Sequence, residues 1–347
     1  MSKTALYNKK NKAQLLEDLN KEKFSRITVS FYKYTTLTDL EQLRDTLYKD
    51  WSELKILGRI YVAKEGINAQ LSIPDYNIDV FKEYLNTYED FEDFKDLKYK
   101  IAVQEGLSFL KLTIKIKNEI VAYKIPSNQY DMTTVGNHLN YKEFNKAIDD
   151  GAIIVDMRNY YEGEIGKFKN AIIPDVDRSE DLLPEIKKLL ANHKNDKVLM
   201  YCTGGIRCEK ASAYLLHQGF KDVNQLDGGI VKYANDVKKN KVPSKFIGKN
   251  FVFDHRMSES ITDDILSTCH ICQSKCDMHT NCSNQDCHIL FIQCDKCSEK
   301  YDGCCSEKCS DFIKLPREEQ RKLFRSGEIS FNAQKSDKTK PKLYELD

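Results

Sequence analysis

Apolar positions recur with two periods along this chain. From Ile27 to Tyr34 they alternate, with Ile27, Val29 and Phe31 on one face, which predicts a strand. Leu40, Leu43, Leu47 and Trp51 then keep helical spacing across Leu37 to Leu54. A second strand is expected over Gly58 to Ala63, a turn over residues 64–68, and a third strand over Ala69 to Ile73, ended by Pro74. A helix follows from Tyr76 to Leu85, and Phe109 to Lys117 alternates again. The order β-α-β-β-α-β predicts a ferredoxin-like (acylphosphatase-like) α+β sandwich over residues 25–122. In the last strand Lys111, Lys115 and Lys117 interleave with Leu112, Ile114 and Ile116. This pattern fits a solvated face or a basic stripe for a phosphate backbone.

Pro126, Ser127, Asn128 and Gly136 mark a linker over residues 123–139. Beyond it, short apolar runs alternate with helical patterns. The helices are expected over Tyr141 to Ile148, Leu182 to Ala191 and Cys208 to Gln218. The runs are Ala152 to Val155, Ala171 to Pro174, Lys197 to Tyr201 and a closing segment, Val223 to Ile230. That alternation predicts a parallel α/β sheet over residues 140–241. Catalytic loops of such sheets lie at the strands' C-terminal ends, where Asp156, Arg158 and Cys202 fall.

At 347 residues the chain has room for two or three domains, and its net charge of +1 gives no global attraction to nucleic acid or membrane. No apolar run reaches the roughly 18 residues of a membrane span. Residues 1–24 read as a flexible arm or a short helix, polar and without a signal-peptide apolar core, so a cytoplasmic location is expected. Disulfides are rare there, so the 12 cysteines call for a metal or redox explanation.

Cys202 is the first candidate for chemistry. An apolar strand delivers it to Thr203-Gly204-Gly205-Ile206-Arg207, and a helix opens behind it. Backbone N–H groups of such a turn, together with Arg207, favour thiolate over thiol. The alternative is a small packed cysteine before a helix. Cys208 could resolve an oxidised Cys202 or simply pack at the helix start.

The loop from Cys202 to Arg207 resembles the active-site loop of the rhodanese family, which cradles a cysteine persulfide. Asp156-x-Arg158, Gly166 and Ala171 in the stretch from Glu162, and Leu226-Asp227-Gly228-Gly229 match other rhodanese signatures, with Lys167 where the family usually has histidine. The resemblance implies that Asp156 and Arg158 pair beside the catalytic loop. With Ala63-Lys64-Glu65-Gly66-Ile67-Asn68-Ala69-Gln70-Leu71-Ser72 and Cys304-Cys305-Ser306 added, the chain resembles the bacterial rhodanese-domain tRNA uridine(34) hydroxylases. That implies an oxidoreductase that converts wobble uridine of tRNA to 5-hydroxyuridine with molecular oxygen. Cys202 and Arg207 would be catalytic, the amides of Thr203, Gly204, Gly205 and Ile206 would line the loop, and Asp156, Arg158 and Cys208 would support it. The residues themselves carry no flavin, haem or facial-triad signature. A sulfurtransferase carrying a cysteine persulfide fits the loop equally, whereas the intact Cys202 counts against a third reading, a zinc-stabilised RNA-binding module with a vestigial rhodanese domain.

Ten cysteines crowd between Cys269 and Cys309, inside a small Cys-rich domain expected over residues 242–316. Cys269-x-x-Cys272 and Cys294-x-x-Cys297 form two knuckles that could complete a tetrahedral structural zinc site. A redox relay, an iron–sulfur cluster or a metal-free thiol-rich fold is the alternative. The remaining cysteines have no assignable partners, although ten could hold two ions. Lys300, Lys308, Lys314, Arg317, Arg321, Lys322 and Arg325 form either a solvated face or the best local basic patch for tRNA. Residues 329–347 read as a disordered tail.

Overall fold

The structure, a computed structural model, describes residues 8, 10–88 and 97–331. The expected tail beyond residue 331, and residues 1–7 and 9 of the expected arm, lie outside the described residues. In chain order the elements are α1 (Lys12–Asn20), β1 (Arg26–Tyr34), α2 (Leu40–Glu53), β2 (Leu57–Ala63), β3 (Gly66–Pro74), α3 (Ile78–Thr87), β4 (Lys100–Ile101) and β5 (Leu112–Ile116). Then come β6 (Asn137–Leu139), α4 (Tyr141–Asp149), β7 (Ile153–Asp156), α5 (Tyr160–Glu164), β8 (Gly166–Phe168), α6 (Ser179–Leu189), β9 (Lys197–Tyr201), α7 (Ile206–His217), β10 (Asp222–Leu226) and α8 (Gly229–Asn240). The last are β11 (Phe246–Phe251), β12 (Ser258–Ser260), β13 (His279–Asn281), β14 (Leu290–Ile292), α9 (Asp295–Lys300), α10 (Glu307–Lys314) and α11 (Arg317–Ser326). The described residues form two compact units: those up to 153 with 192–243 and 253–256, and those of 154–191, 244–252 and from 257 on.

The first unit begins with a five-stranded sheet in the order β4-β1-β3-β2-β5. The expected β-α-β-β-α-β order is present, but the segment that supplies its last strand is not the one expected. The place beside β1 that closes a ferredoxin-like sandwich is taken by the two-residue β4, antiparallel to β1. The alternating run at Phe109 to Lys117 supplies β5 instead, parallel to β2 on the opposite edge. Alternation identifies a strand but not its edge, and two residues are too few to show a period. Lys111, Lys115 and Lys117 are all exposed.

One face of this sheet is apolar. Val29, Phe31, Ile60, Val62, Ile67, Ala69 and Leu71 pack with Leu43, Leu47 and Trp51 of α2 and with Phe81 and Leu85 of α3. Trp51 meets Phe81 edge-on with centroids 5.5 Å apart. Each large apolar side chain buried here stabilises the fold by about 1.5–3 kcal/mol. The intervening residues, including Tyr32, Tyr34 and Asn68, project from the other face, because side chains alternate along a strand.

The same unit contains the parallel strands β6, β10 and β9, with β10 in the middle. Asn140 caps α4 in a reciprocal capping box with Glu143. The expected closing segment, Val223 to Ile230, divides at residues 227–228: β10 ends at Leu226 and α8 starts at Gly229.

In the second unit β8 and β12 flank β11, both antiparallel to it. The expected strand at Ala171 to Pro174 is reduced to one parallel bridge, Val155 to Ile172. Asn170 has a left-handed φ of 65° and Pro174 has no N–H, so no longer ladder can form. β13 and β14 form a hairpin in the cysteine-rich segment.

Candidate active site at the Cys202 loop

Cys202 directly follows β9, and its sulfur accepts a hydrogen bond from the Gly205 N–H at 3.1 Å. Gly205 caps α7 at φ 97°, and a Cβ there would lie 2.9 Å from Tyr32 Oη. The loop is closed from behind by α8. Its amides at Ile230 and Val231 donate to the carbonyls of Cys202 and Thr203 at 3.0 and 3.1 Å. That approach requires glycine at 229: at φ +66°, a Cβ would fall 2.6 Å from the Cys202 carbonyl oxygen and 2.8 Å from Gly205 N. Gly229 of the double glycine is therefore part of the loop's scaffold.

Cys202 is fully buried, and burial alone would raise its thiol. The Cys208 thiol, the Arg207 charge and the amides of Arg207 and Gly205 outweigh burial and bring it from 9.0 down to about 6. Cys208 is itself pushed well up by burial and by Cys202, so it stays a thiol and acts as the donor. Arg207 also donates to Thr203 Oγ1 at 3.3 Å, spanning the loop. Thr203, Gly204, Ile206 and Arg207 are half-buried and form its rim.

The outer face of the N-terminal sheet covers this loop. Tyr34 Oη donates to the Ile206 carbonyl at 3.2 Å, and Tyr123 Oη to that of Arg207 at 3.1 Å. Tyr32 Oη donates to Glu209 Oε1 at 2.9 Å. The same carboxylate meets His138 Nε2 at 2.8 Å and Gln225 Nε2 at 3.1 Å. Burial opposes the charge on Glu209, but His138, Tyr32 and Gln225 hold its carboxyl below the usual range. Lys100, on the short β4, lies over the Tyr32 ring at 4.3 Å. Burial lowers it to about 8, while the negative charge at Cys202 works the other way.

A second tie joins two of the sequence motifs. Lys210, with no exposed surface, lies 2.8 Å from Glu65 Oε2 and 2.8 Å from Glu119 Oε2. It also donates to the Val121 carbonyl at 3.3 Å. Glu65 belongs to the turn between β2 and β3, and Lys210 lies one turn into α7.

In the second unit Asp156 and Arg158 form a buried pair, with Arg158 Nε 2.9 Å and NH2 2.7 Å from the two carboxylate oxygens. Arg158 NH2 also reaches the Gly166 carbonyl at 2.6 Å. In the cysteine-rich segment the sulfurs of Cys269, Cys272, Cys294 and Cys297 come within 4.8 Å of one another. Cys272 Sγ and Cys294 Sγ are 3.6 Å apart, close to the roughly 3.8 Å edge of a tetrahedron with Zn–S bonds of about 2.3 Å.

Three family models match the chain: the UPF0176 acylphosphatase-like domain over residues 26–120, the rhodanese-like domain over 140–236 and the rhodanase C-terminal region over 247–310. A tRNA uridine(34) hydroxylase of Leptospira interrogans is 50% identical over 347 residues, covering 99% of this chain and 94% of its own. The chain belongs to the tRNA uridine(34) hydroxylase family. Members from Escherichia fergusonii and Yersinia pestis are 44% and 46% identical, over 94% and 91% of this chain and 93% and 89% of theirs.

Sequence reasoning gave Tyr32, Tyr34, Lys100, His138 and Glu209 no role at this family's loop. The available signal was the polar side of β1, where two tyrosines alternate with the core residues Val29 and Phe31. Aromatic residues on the side of a strand facing away from its own core mark a face that something else covers.

Proposed function

We propose that this protein hydroxylates uridine 34 of tRNA to 5-hydroxyuridine with molecular oxygen, and that the Cys202 thiolate is the reactive group. The observation that carries the role of Cys202 is its anionic cradle. With a thiol brought to about 6, the sulfur is a nucleophile at neutral pH. Arg207, the loop amides and the Cys208 thiol stabilise the charge, and Lys100 adds a cation from the sheet side. Uridine 34 lies in the single-stranded anticodon loop, so its base can turn outward without breaking a helix. Thr203, Gly204, Ile206 and Arg207 are the loop residues that solvent reaches, and the base would approach the buried sulfur over them. Inserting one atom of dioxygen and releasing the other as water consumes two electrons and two protons beyond those of uridine, so a two-electron reductant is a co-substrate. No helix among the described residues is long and apolar enough to cross a membrane. A tRNA substrate supports a cytoplasmic location.

The substrate is supported by the chain's relatives, which are tRNA uridine(34) hydroxylases. The test is purified protein, unmodified tRNA and a reductant under isotopically heavy dioxygen, read by nucleoside mass spectrometry. The expected product is 5-hydroxyuridine carrying one heavy oxygen; product labelled from water instead would refute the oxygenase reading. The six-residue loop from Cys202 to Arg207, sized for a persulfide, favours sulfane-sulfur transfer as the second reading. Thiocyanate release from thiosulfate and cyanide, with no tRNA product, would replace the first reading with it. Cys269, Cys272, Cys294 and Cys297 would hold one structural zinc, which supplies folding energy rather than a reactive position.

A further inference from the structure

The first tetrad accounts for only four of the ten cysteines in the C-terminal segment. A second group, Cys282, Cys287, Cys305 and Cys309, has all four sulfurs within 4.8 Å of one another, and all four residues are buried. We propose that this second tetrad is a separate, closed zinc site, so that the protein holds two zinc ions per chain.

The spacings of the sulfurs support a single tetrahedral ion. Cys287 Sγ lies 3.7 Å from Cys305 Sγ, and Cys305 Sγ lies 3.8 Å from Cys309 Sγ. A tetrahedral Zn–S site with bonds of about 2.3 Å has edges of about 3.8 Å, whereas a disulfide would bring two sulfurs to about 2.05 Å. All four cysteines are free of disulfides. An iron–sulfur cluster divides its four cysteines among two or four irons and so spreads the thiolates further apart than this group allows.

The surroundings treat these sulfurs as acceptors. The Cys305 N–H points at Cys282 Sγ at 3.4 Å, and the Asn284 amide, 1% exposed, points at Cys309 Sγ at 3.5 Å. Metal-bound thiolates are typically oriented by donors of this kind. The fold brings the four together from two places. Cys282 and Cys287 lie in the β13–β14 connection, where Ser283 N–H donates to the Gly303 carbonyl at 3.0 Å. Cys305 and Cys309 flank the start of α10, which Ser306 caps by accepting from Cys309 N–H.

The tetrad also occupies the centre of its surroundings. Its sulfurs pack with Phe291 and Cys304, ringed by Ile271, Ile289, Tyr301 and Ile313. So small an apolar cluster is a weak core by itself, and a metal is the common remedy. The two tetrads differ in access. Cys272 is exposed and Cys294 is half-buried, whereas no member of the second tetrad reaches solvent freely. The first ion should therefore exchange quickly and the second slowly.

The test is metal analysis of the full-length protein, followed by zinc release to excess chelator. The proposal predicts two zinc per chain, released in two equal phases separated by at least about tenfold in rate. Cys272→Ser should lose the fast equivalent and keep the slow one; Cys309→Ser should lose the slow one. Cys304→Ser, outside both tetrads, should keep both. If Cys309→Ser fails to fold, wild-type stoichiometry and biphasic release still decide. One zinc per chain, iron in the slow site, or a single release phase would overturn the proposal. The metal count is independent of tRNA oxidation, so it can fail while the hydroxylase assignment stands.

Discussion

Replacing Cys202 by serine abolishes formation of 5-hydroxyuridine, with a loss on the order of 10³-fold or more in kcat/KM, while the protein remains folded. The size follows from the role: serine matches the shape of the cradle, but its hydroxyl stays protonated where the thiol is brought to about 6. Cys208→Ala has a different signature. It removes the donor to the Cys202 sulfur, so the acid limb of the pH–rate profile moves up while the maximal rate is retained. Single-turnover kinetics with unmodified tRNA measures both. A Cys202→Ser enzyme within tenfold of the wild type would show that the sulfur is not the reactive group.

Lys210→Met destabilises the first unit by about 3–5 kcal/mol, the usual cost of breaking a buried ion pair from one side. Glu65 and Glu119 are then left facing each other beside the Val121 carbonyl, with no cation between them. The triple variant Lys210→Met, Glu65→Gln, Glu119→Gln should recover part of the loss, since it removes the unpaired charges. Chemical denaturation, followed by the fluorescence of the single tryptophan, Trp51, reads the effect. A Lys210→Met midpoint within about 0.5 kcal/mol of wild type would mean the network is solvated and without structural weight. Glu65 sits in the β2–β3 turn and Lys210 in α7, so this pair ties those two motifs together.

What the sequence revealed and what it concealed divides along physical lines. The Cys202 loop was legible because its requirements are local: two glycines, an arginine, a strand before and a helix after. The N-terminal core was legible in Ile27, Val29 and Phe31 because burial imposes a period of two. The use of the opposite face was not, since nothing local to Tyr32 or Tyr34 specifies what lies against it. Lys100 was hidden for a further reason, because a two-residue strand has no period. Among the cysteines, the C-x-x-C knuckles were recognisable by spacing. Cys282, Cys287, Cys305 and Cys309 have wider spacings, and only the hairpin and the start of α10 bring them together.

The stability of the first unit should carry the same thiolate. The Cys202 thiol is held below its ordinary 9.0, so its contribution is present above that value and is lost as pH falls through about 6. The pH dependence of Cys202 alkylation by iodoacetamide, read on the peptide that contains it so that the other cysteines do not interfere, tests the whole account most directly. A midpoint near 6 is predicted. A midpoint at or above 9 would mean that the loop holds a neutral thiol, and the reactive role given to this sulfur would be wrong.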